Sequence, residues 1–200
     1  MFKLAVFASH KGSNFKAIVE ACKNGTLYAE VVLLISNNPN ANVILTAKEY
    51  QIPFAHVSGK THPLEQERDK ELCLMLEESQ ANLIILAGYM KKLGRLITEK
   101  FQGRIINVHP SLLPKYGGKG FYGLRVHEAV LENKEAETGV TTHLVNAQYD
   151  QGKILFQERI KVQEDDTPDS LAKKIRPIEH KLIVHTIKHL IKEKEAKANL

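Results

Sequence analysis

Apolar residues along the first half of the chain follow two alternating rhythms. Short apolar runs, of the kind a strand buried on both faces requires, recur at 2–8, at Glu30–Ser36 (Glu-Val-Val-Leu-Leu-Ile-Ser), at Leu83–Ala87 and at 104–108, with a shorter one at Phe54–Val57. Between them apolar positions come at helical spacing. Phe15, Ile18, Val19 and Cys22 predict a helix ending near Asn24-Gly25, and further helices are expected over 41–50 and 94–101. The segment 64–78 reads as a charged amphipathic helix whose apolar members are Leu64, Leu72, Met75 and Leu76. Strand alternating with helix predicts right-handed parallel βαβ units: an α/β, doubly wound, mostly parallel sheet with helices on both faces.

Beyond a helix at about 125–132 the pattern changes. Thr138–Asn146 and Lys153–Val162 are β-rich on either side of the turn Gln148-Tyr149-Asp150-Gln151-Gly152, which predicts two mutually antiparallel strands. Thr167-Pro168-Asp169 is a helix start, with a cap residue, proline at the first position and an acid in the first turn. The helix it opens is expected to kink or break at Pro177 and to finish in a charged, frayed end from Lys192 to Leu200. No repeat or linker interrupts the pattern, so residues 1–200 are read as one domain.

Composition excludes several classes. Hydrophobic residues at 43% and charged residues at 26% are ordinary for a globular protein. Cys22 and Cys73, both inside amphipathic helical patterns, argue against a disulfide framework. No apolar run has membrane-spanning length, and the chain enters its first strand without a leader, so a cytoplasmic protein with no membrane partner is expected. The net charge of +5 is concentrated: between Lys91 and Arg125 stand eight lysines or arginines against one acid, Glu99. An anionic ligand is favoured there. Nucleic acid is not, because no aromatic stacking platform or recognised motif accompanies the charge.

The chemistry gathers at strand ends, where open α/β sheets bind their ligands. In Ile106-Asn107-Val108-His109-Pro110-Ser111-Leu112-Leu113-Pro114, Asn107 and His109 are two residues apart and share one face of a strand, with Pro110 and Pro114 stiffening the loop. After the first strand, Gly12-Ser13-Asn14 opens a helix. Its free N–H groups suit an anion, although Ser13 or Asn14 serving as a simple cap fits the spacing equally well. Met90/Lys91, His143 and Asp150 are expected at the same edge, and an acid such as Asp150 near His109 would favour its imidazolium. The four glycines of Gly117–Gly123 allow close approach or movement as a lid. No metal is expected: the spacing of His109, His127, His143 and Asp150 matches no local zinc pattern, and His185 and His189 read as a solvated helix face.

These motifs together resemble the glycinamide ribonucleotide formyltransferase family. The likeness rests on Gly12-Ser13-Asn14, Leu86-Ala87-Gly88-Tyr89-Met90, the Asn107–Pro114 run, Thr142-His143 with Asp150-Gln151-Gly152, and Glu179-His180. It implies the formyltransferase fold and transfer of a formyl group from 10-formyltetrahydrofolate, a co-substrate, to the amine of glycinamide ribonucleotide in purine biosynthesis. It also implies catalysis by Asn107, His109 and Asp150, with Asn107 and a protonated His109 steadying the oxyanion. The ribonucleotide would be held by Gly12, Ser13 and Asn14 and by Arg176, Pro177, Ile178 and Glu179. The folate would be held by Met90, Lys91, Lys92 and Leu93, by Asn107, and by Asn146, Ala147, Gln148, Tyr149 and Asp150. Lys91 stands where many members have arginine, and Glu65 where some have a folate-contacting arginine, with Arg68 three residues on. A monomer or homodimer is expected. The rivals are a 10-formyltetrahydrofolate hydrolase, whose family usually carries a further N-terminal domain, and a non-catalytic nucleotide- or folate-binding module. Methionyl-tRNA formyltransferase would need an RNA-binding domain for which 200 residues leave no room.

Overall fold

The computed structural model describes residues 1–198. Its strands are β1 (Phe2–Phe7), β2 (Ala29–Ser36), β3 (Phe54–His56), β4 (Leu83–Leu86), β5 (Ile105–His109), β6 (Glu137–Leu144) and β7 (Ile154–Lys161). Its helices are α1 (Ser13–Lys23), α2 (Asn42–Glu49), α3 (Glu65–Glu78), α4 (Arg95–Lys100), α5 (Leu124–Glu132) and α6 (Pro168–Ala198). One seven-stranded sheet runs in the order β3-β2-β1-β4-β5-β6-β7. The first five strands are parallel, and β5–β6 and β6–β7 are antiparallel, as the change of pattern after residue 125 predicts.

Alternate residues of the central strands feed two cores. Leu4, Val6, Leu34, Leu83, Ile85 and Ile106 face α1, α2 and α6, while Ala5, Phe7, Ile35, Ile84, Leu86 and Ile105 face α3 and α4. In α3 the buried set is Asp69, Leu72, Cys73 and Leu76. Leu64, expected to be apolar lining, lies just before the helix and is 62% exposed.

The C-terminal helix departs from expectation. α6 runs from Pro168 through Pro177 to Ala198 without a break. Pro177 removes one i→i−4 bond on the exposed side. Burial of Ile175, Ile183, Ile187 and Ile191 against the sheet and α1 holds the helix across that gap. The expected fraying from Lys192 is likewise absent up to Ala198, although Lys192–Lys197 are exposed; residues 199–200 lie outside the described residues. His185 and His189 are exposed but not merely solvated. Both rings meet Phe156 of β7 edge-on, at centroid distances of 4.7 and 5.1 Å.

Candidate active site

The chain leaves β1 towards β2 on one side and reaches β4 on the other, so the loops after β1 and β4 diverge and open a crevice. Ser9 ties the strand ends together. Its Oγ donates to Asn37 Oδ1 at 2.5 Å and accepts the Met90 N–H at 2.8 Å, and its own N–H donates to the Gly88 carbonyl at 3.2 Å. Gly12, at φ +73°, is the residue that starts α1, and a Cβ there would run into the Val43 side chain. Neither Ser13 nor Asn14 therefore caps the helix by a side-chain bond. Asn14 is instead 6% exposed, its Oδ1 has no partner, and its amide favours the charged form of Glu179 on α6.

On the other wall β5 presents Asn107 and His109 to the same space. Asn107 Nδ2 stands 3.1 Å from His143 Nε2, directly across the β5–β6 ladder, and donates to Asp150 Oδ1 at 3.4 Å. With His143 Nδ1–H given to the Leu144 carbonyl at 2.8 Å, Nε2 is left to accept from Asn107. Asp150, at φ +51° on the β6–β7 turn, lies at the centre: Oδ1 is 3.5 Å from His143 Nε2, and Oδ2 is 3.8 Å from His109 Nδ1 and accepts the Gly118 N–H at 2.8 Å. The Asn107–His109–Asp150 grouping expected from the sequence is thus brought together. His143, a strand-end polar group that marks the family likeness but is given no catalytic role by the sequence, is its fourth member.

One expectation is corrected. An acid beside His109 predicts an imidazolium, and Asp150 does favour it, but the His109 pKa is lowered. Burial is the dominant cause (the residue is 4% exposed), and the carboxylate of Asp150 and the Tyr116 carbonyl, 2.7 Å from Nε2, offset it only in part. Burial acts on Asp150 too, yet its pKa is lowered, because the contact with His143, the neighbouring His109 and the Gly118 N–H all favour the carboxylate. Across the cavity burial pushes Glu179 up to about 7, against the Asn14 amide and the Arg176 charge.

These residues line one cavity of about 800 Å³. On the α6 side its wall is Ala172, Ile175, Arg176 and Glu179. These positions recur every three or four residues and so share one helix face. Pro177 and Ile178, expected at the substrate, do not line it: Pro177 is exposed and Ile178 packs on the core. Helical spacing from Glu179 would have found Ile175 and Ala172 instead. Gly12, Ser13, Asn14, Met90, Lys91, Lys92, Leu93, Asn146, Gln148 and Tyr149 all line the cavity. Ala147 does not. It faces a second cavity of about 860 Å³, which shares Asn38, Tyr89, Lys91, Lys92 and Leu93 with the first and contains Glu65 and Arg68.

Only part of the basic excess faces this space. Lys91, Lys92 and Lys119 do, whereas Lys100 pairs with Glu77 at 2.6 Å, Lys115 with Glu135 at 2.8 Å, and Arg104 bonds the carbonyls of Ala81 and Asn82. Among the described residues no group of three or more His, Cys, Asp or Glu side chains is placed to hold a metal. No helix there is long and apolar enough to cross a membrane.

Residues 2–187 match the model of the formyl transferase family. The chain belongs to that family. It is 40% identical over 193 residues to the chloroplastic phosphoribosylglycinamide formyltransferase of Arabidopsis thaliana, covering 96% of this chain and 66% of that one. To the phosphoribosylglycinamide formyltransferase of Bacillus subtilis it is 35% identical over 96% of this chain and 95% of the relative. The crystal structure of the enzyme so named from Bacillus halodurans superposes with a TM-score of 0.88 at 36% identity, covering 94% and 95% of the two chains. A formyltetrahydrofolate deformylase from Pseudomonas syringae shares the fold (TM-score 0.86) at 19% identity, with 62% of its chain covered.

Proposed function

We propose that this chain transfers the formyl group of 10-formyltetrahydrofolate to the amine of glycinamide ribonucleotide, in the cytoplasm, as a one-domain enzyme. The observation that carries the reading is the two-sided cavity. On this reading Gly12–Asn14 are the phosphate seat, Glu179 is the carboxyl group for the amine, and Met90–Leu93 with Asn146, Gln148 and Tyr149 would hold the folate; Asn107, His109 and Asp150 line the same cavity. The phosphate would lie on the Gly12–Asn14 N–H groups at the positive end of α1, with the unpaired Asn14 Oδ1 turned to a ligand hydrogen. Glu179, poised near 7, would take a hydrogen bond from the amine and shed its own proton as the pH rises. The pterin would lie along Met90–Leu93 and Asn146–Asp150, and the glutamate tail would run towards Arg68 in the second cavity, where Arg68 Nη1 now donates to the His62 carbonyl at 3.0 Å.

In the reaction the amine nitrogen attacks the formyl carbon, its oxygen takes the negative charge, the bond from carbon to N10 of the folate breaks, and the amine's proton goes to N10. Asn107 and His109 are the donors to that oxygen. In the resting chain both are engaged: Asn107 with His143 and Asp150, His109 Nε2 with the Tyr116 carbonyl. The 3.4 Å bond to Asp150 is the longer of the two Asn107 contacts and the one exchanged for the oxyanion. Freeing His109 requires the Tyr116 carbonyl, in the loop leading to Gly117–Gly123, to turn aside. Negative charge on the substrate oxygen, added to that of Asp150, then raises the His109 pKa, so protonation belongs to the reacting complex and not to the empty site.

The test is a formyl-transfer assay with 10-formyltetrahydrofolate, with and without glycinamide ribonucleotide. Turnover is expected only with the ribonucleotide; folate turnover that ignores it would establish the hydrolase, and binding without turnover the non-catalytic module. His109→Ala is expected to lower turnover by at least about 10²-fold with ribonucleotide affinity nearly unchanged, because one oxyanion donor is lost. A fully active variant would remove His109 from the chemistry.

A further inference from the structure

His127, the fourth residue of α5, has no part in the mechanism above, yet it lines the same cavity. It is 4% exposed, and its Nδ1 is buried with no hydrogen-bond partner. Its neighbours on the helix, Val126 and Val130, are ordinary core residues, so packing alone would be served by leucine or phenylalanine. An imidazole that leaves a buried ring nitrogen unpaired weakens the folded state. Burial and the nearby His109 push its pKa down to about 4. The ring is therefore neutral at working pH, with one nitrogen a donor and the other an acceptor. α5 also packs on α6, which carries Arg176 and Glu179, and His127 lies near His109 in the wall of the cavity those two residues also line.

We propose that His127 is a binding residue for the uncharged middle of the ribonucleotide, its ring nitrogen hydrogen-bonding a ribose hydroxyl or the glycinamide amide. The inference rests on the function proposed above. The phosphate and the amine already have charged or dipolar seats at α1 and Glu179. A neutral donor–acceptor ring suits what lies between them, because it adds specificity for hydroxyl and amide groups without adding charge beside His109.

The experiment compares wild type, His127→Leu and His127→Asn by calorimetric titration with glycinamide ribonucleotide, by KM for each substrate, and by thermal midpoint without ligand. In the leucine variant the ribonucleotide Kd is expected to rise about five- to tenfold. Its folate KM should stay within about twofold and its midpoint should hold or rise, since the unpaired nitrogen is gone. Asparagine, which returns an uncharged donor and acceptor to this position, should restore part of the affinity. Unchanged affinity in the leucine variant would overturn the proposal, as would a lowered midpoint with equal loss of both substrates, or an asparagine variant no better than leucine. If wild type itself fails to bind the ribonucleotide, the proposed function falls first.

Discussion

Glu179 and Asp150 are two carboxyl groups facing one cavity with pKa values displaced in opposite directions, and the reason is what each touches. Asp150 has His143, His109 and the Gly118 N–H around it, and these outweigh its burial. Glu179 has burial opposed only by the Asn14 amide and Arg176. Its folded pKa of about 7 exceeds the ordinary 4.5, so its contribution to stability is complete below pH 4.5 and is lost as the pH rises to about 7. Glu179→Gln keeps the shape without the buried charge. The variant is expected to melt higher than wild type at pH 8 and close to it at pH 5, while kcat/KM for the ribonucleotide falls about 10- to 100-fold through loss of a charged hydrogen bond. Melting curves at the two pH values decide the first part; a difference independent of pH would show that the carboxyl does not titrate in this range. Asp150→Asn removes the charge that supports the His109 imidazolium, so the His109 pKa falls further. The alkaline limb of the pH–rate profile is then expected to move to lower pH, and an unmoved limb would break the pairing of Asp150 with His109.

At the scale of elements, the groove proposed for the folate depends on a contact far along the chain. α4 begins at Gly94 with no side-chain cap of its own. Asp69 of α3 sets its carboxylate against the start of α4, where the N–H groups of Leu96 and Gly94 favour its charged form and a Cβ at Gly94 would collide with it. This contact anchors the segment leading from Met90 to Leu93. Asp69→Ala is expected to cost about 1–2 kcal/mol of stability, the value of a lost cap. It should raise the folate KM and leave the ribonucleotide KM alone, since α1 and α6 lie on the other side of the sheet; steady-state kinetics with each substrate varied would show the split. Equal rises in both KM values would mean a general loosening instead.

For the whole molecule, the cavity sits where β1, β4, β5, the β6–β7 turn and α6 meet, so a ligand bound there joins elements that otherwise touch mainly through the sheet. Ribonucleotide at about 100 times its Kd should stabilise the fold by about 2.7 kcal/mol. For a chain of this size that is roughly 5–10 °C in thermal midpoint. A shift that saturates with ribonucleotide and increases again with folate would be read by differential scanning calorimetry, and no shift with either ligand would place the binding site elsewhere.

Much of this was legible in one dimension. Continuous apolar runs and helical stripes are local consequences of burial, and they place nearly every strand and helix. Asn107 and His109 share a face because strand geometry requires it, and Gly12 is glycine because the turn needs a positive φ. The rest turned on contacts between residues distant in the chain. Pro177 reads as a helix breaker until the burial of α6 against the sheet is known to outweigh one missing hydrogen bond. His127 reads as an ordinary helix histidine until the docking of α5 brings it near His109, and His143, placed by the sequence only at the same sheet edge, is set against Asn107 by the β5–β6 register. Pairing of His109 with Asp150 follows from residue types, whereas the desolvation that lowers the His109 pKa depends on everything packed around the ring. Local periodicity determined the elements and the strand-end residues; only the tertiary structure decided burial, and with it which side chains meet, which carry charge and which wait unpaired for a ligand.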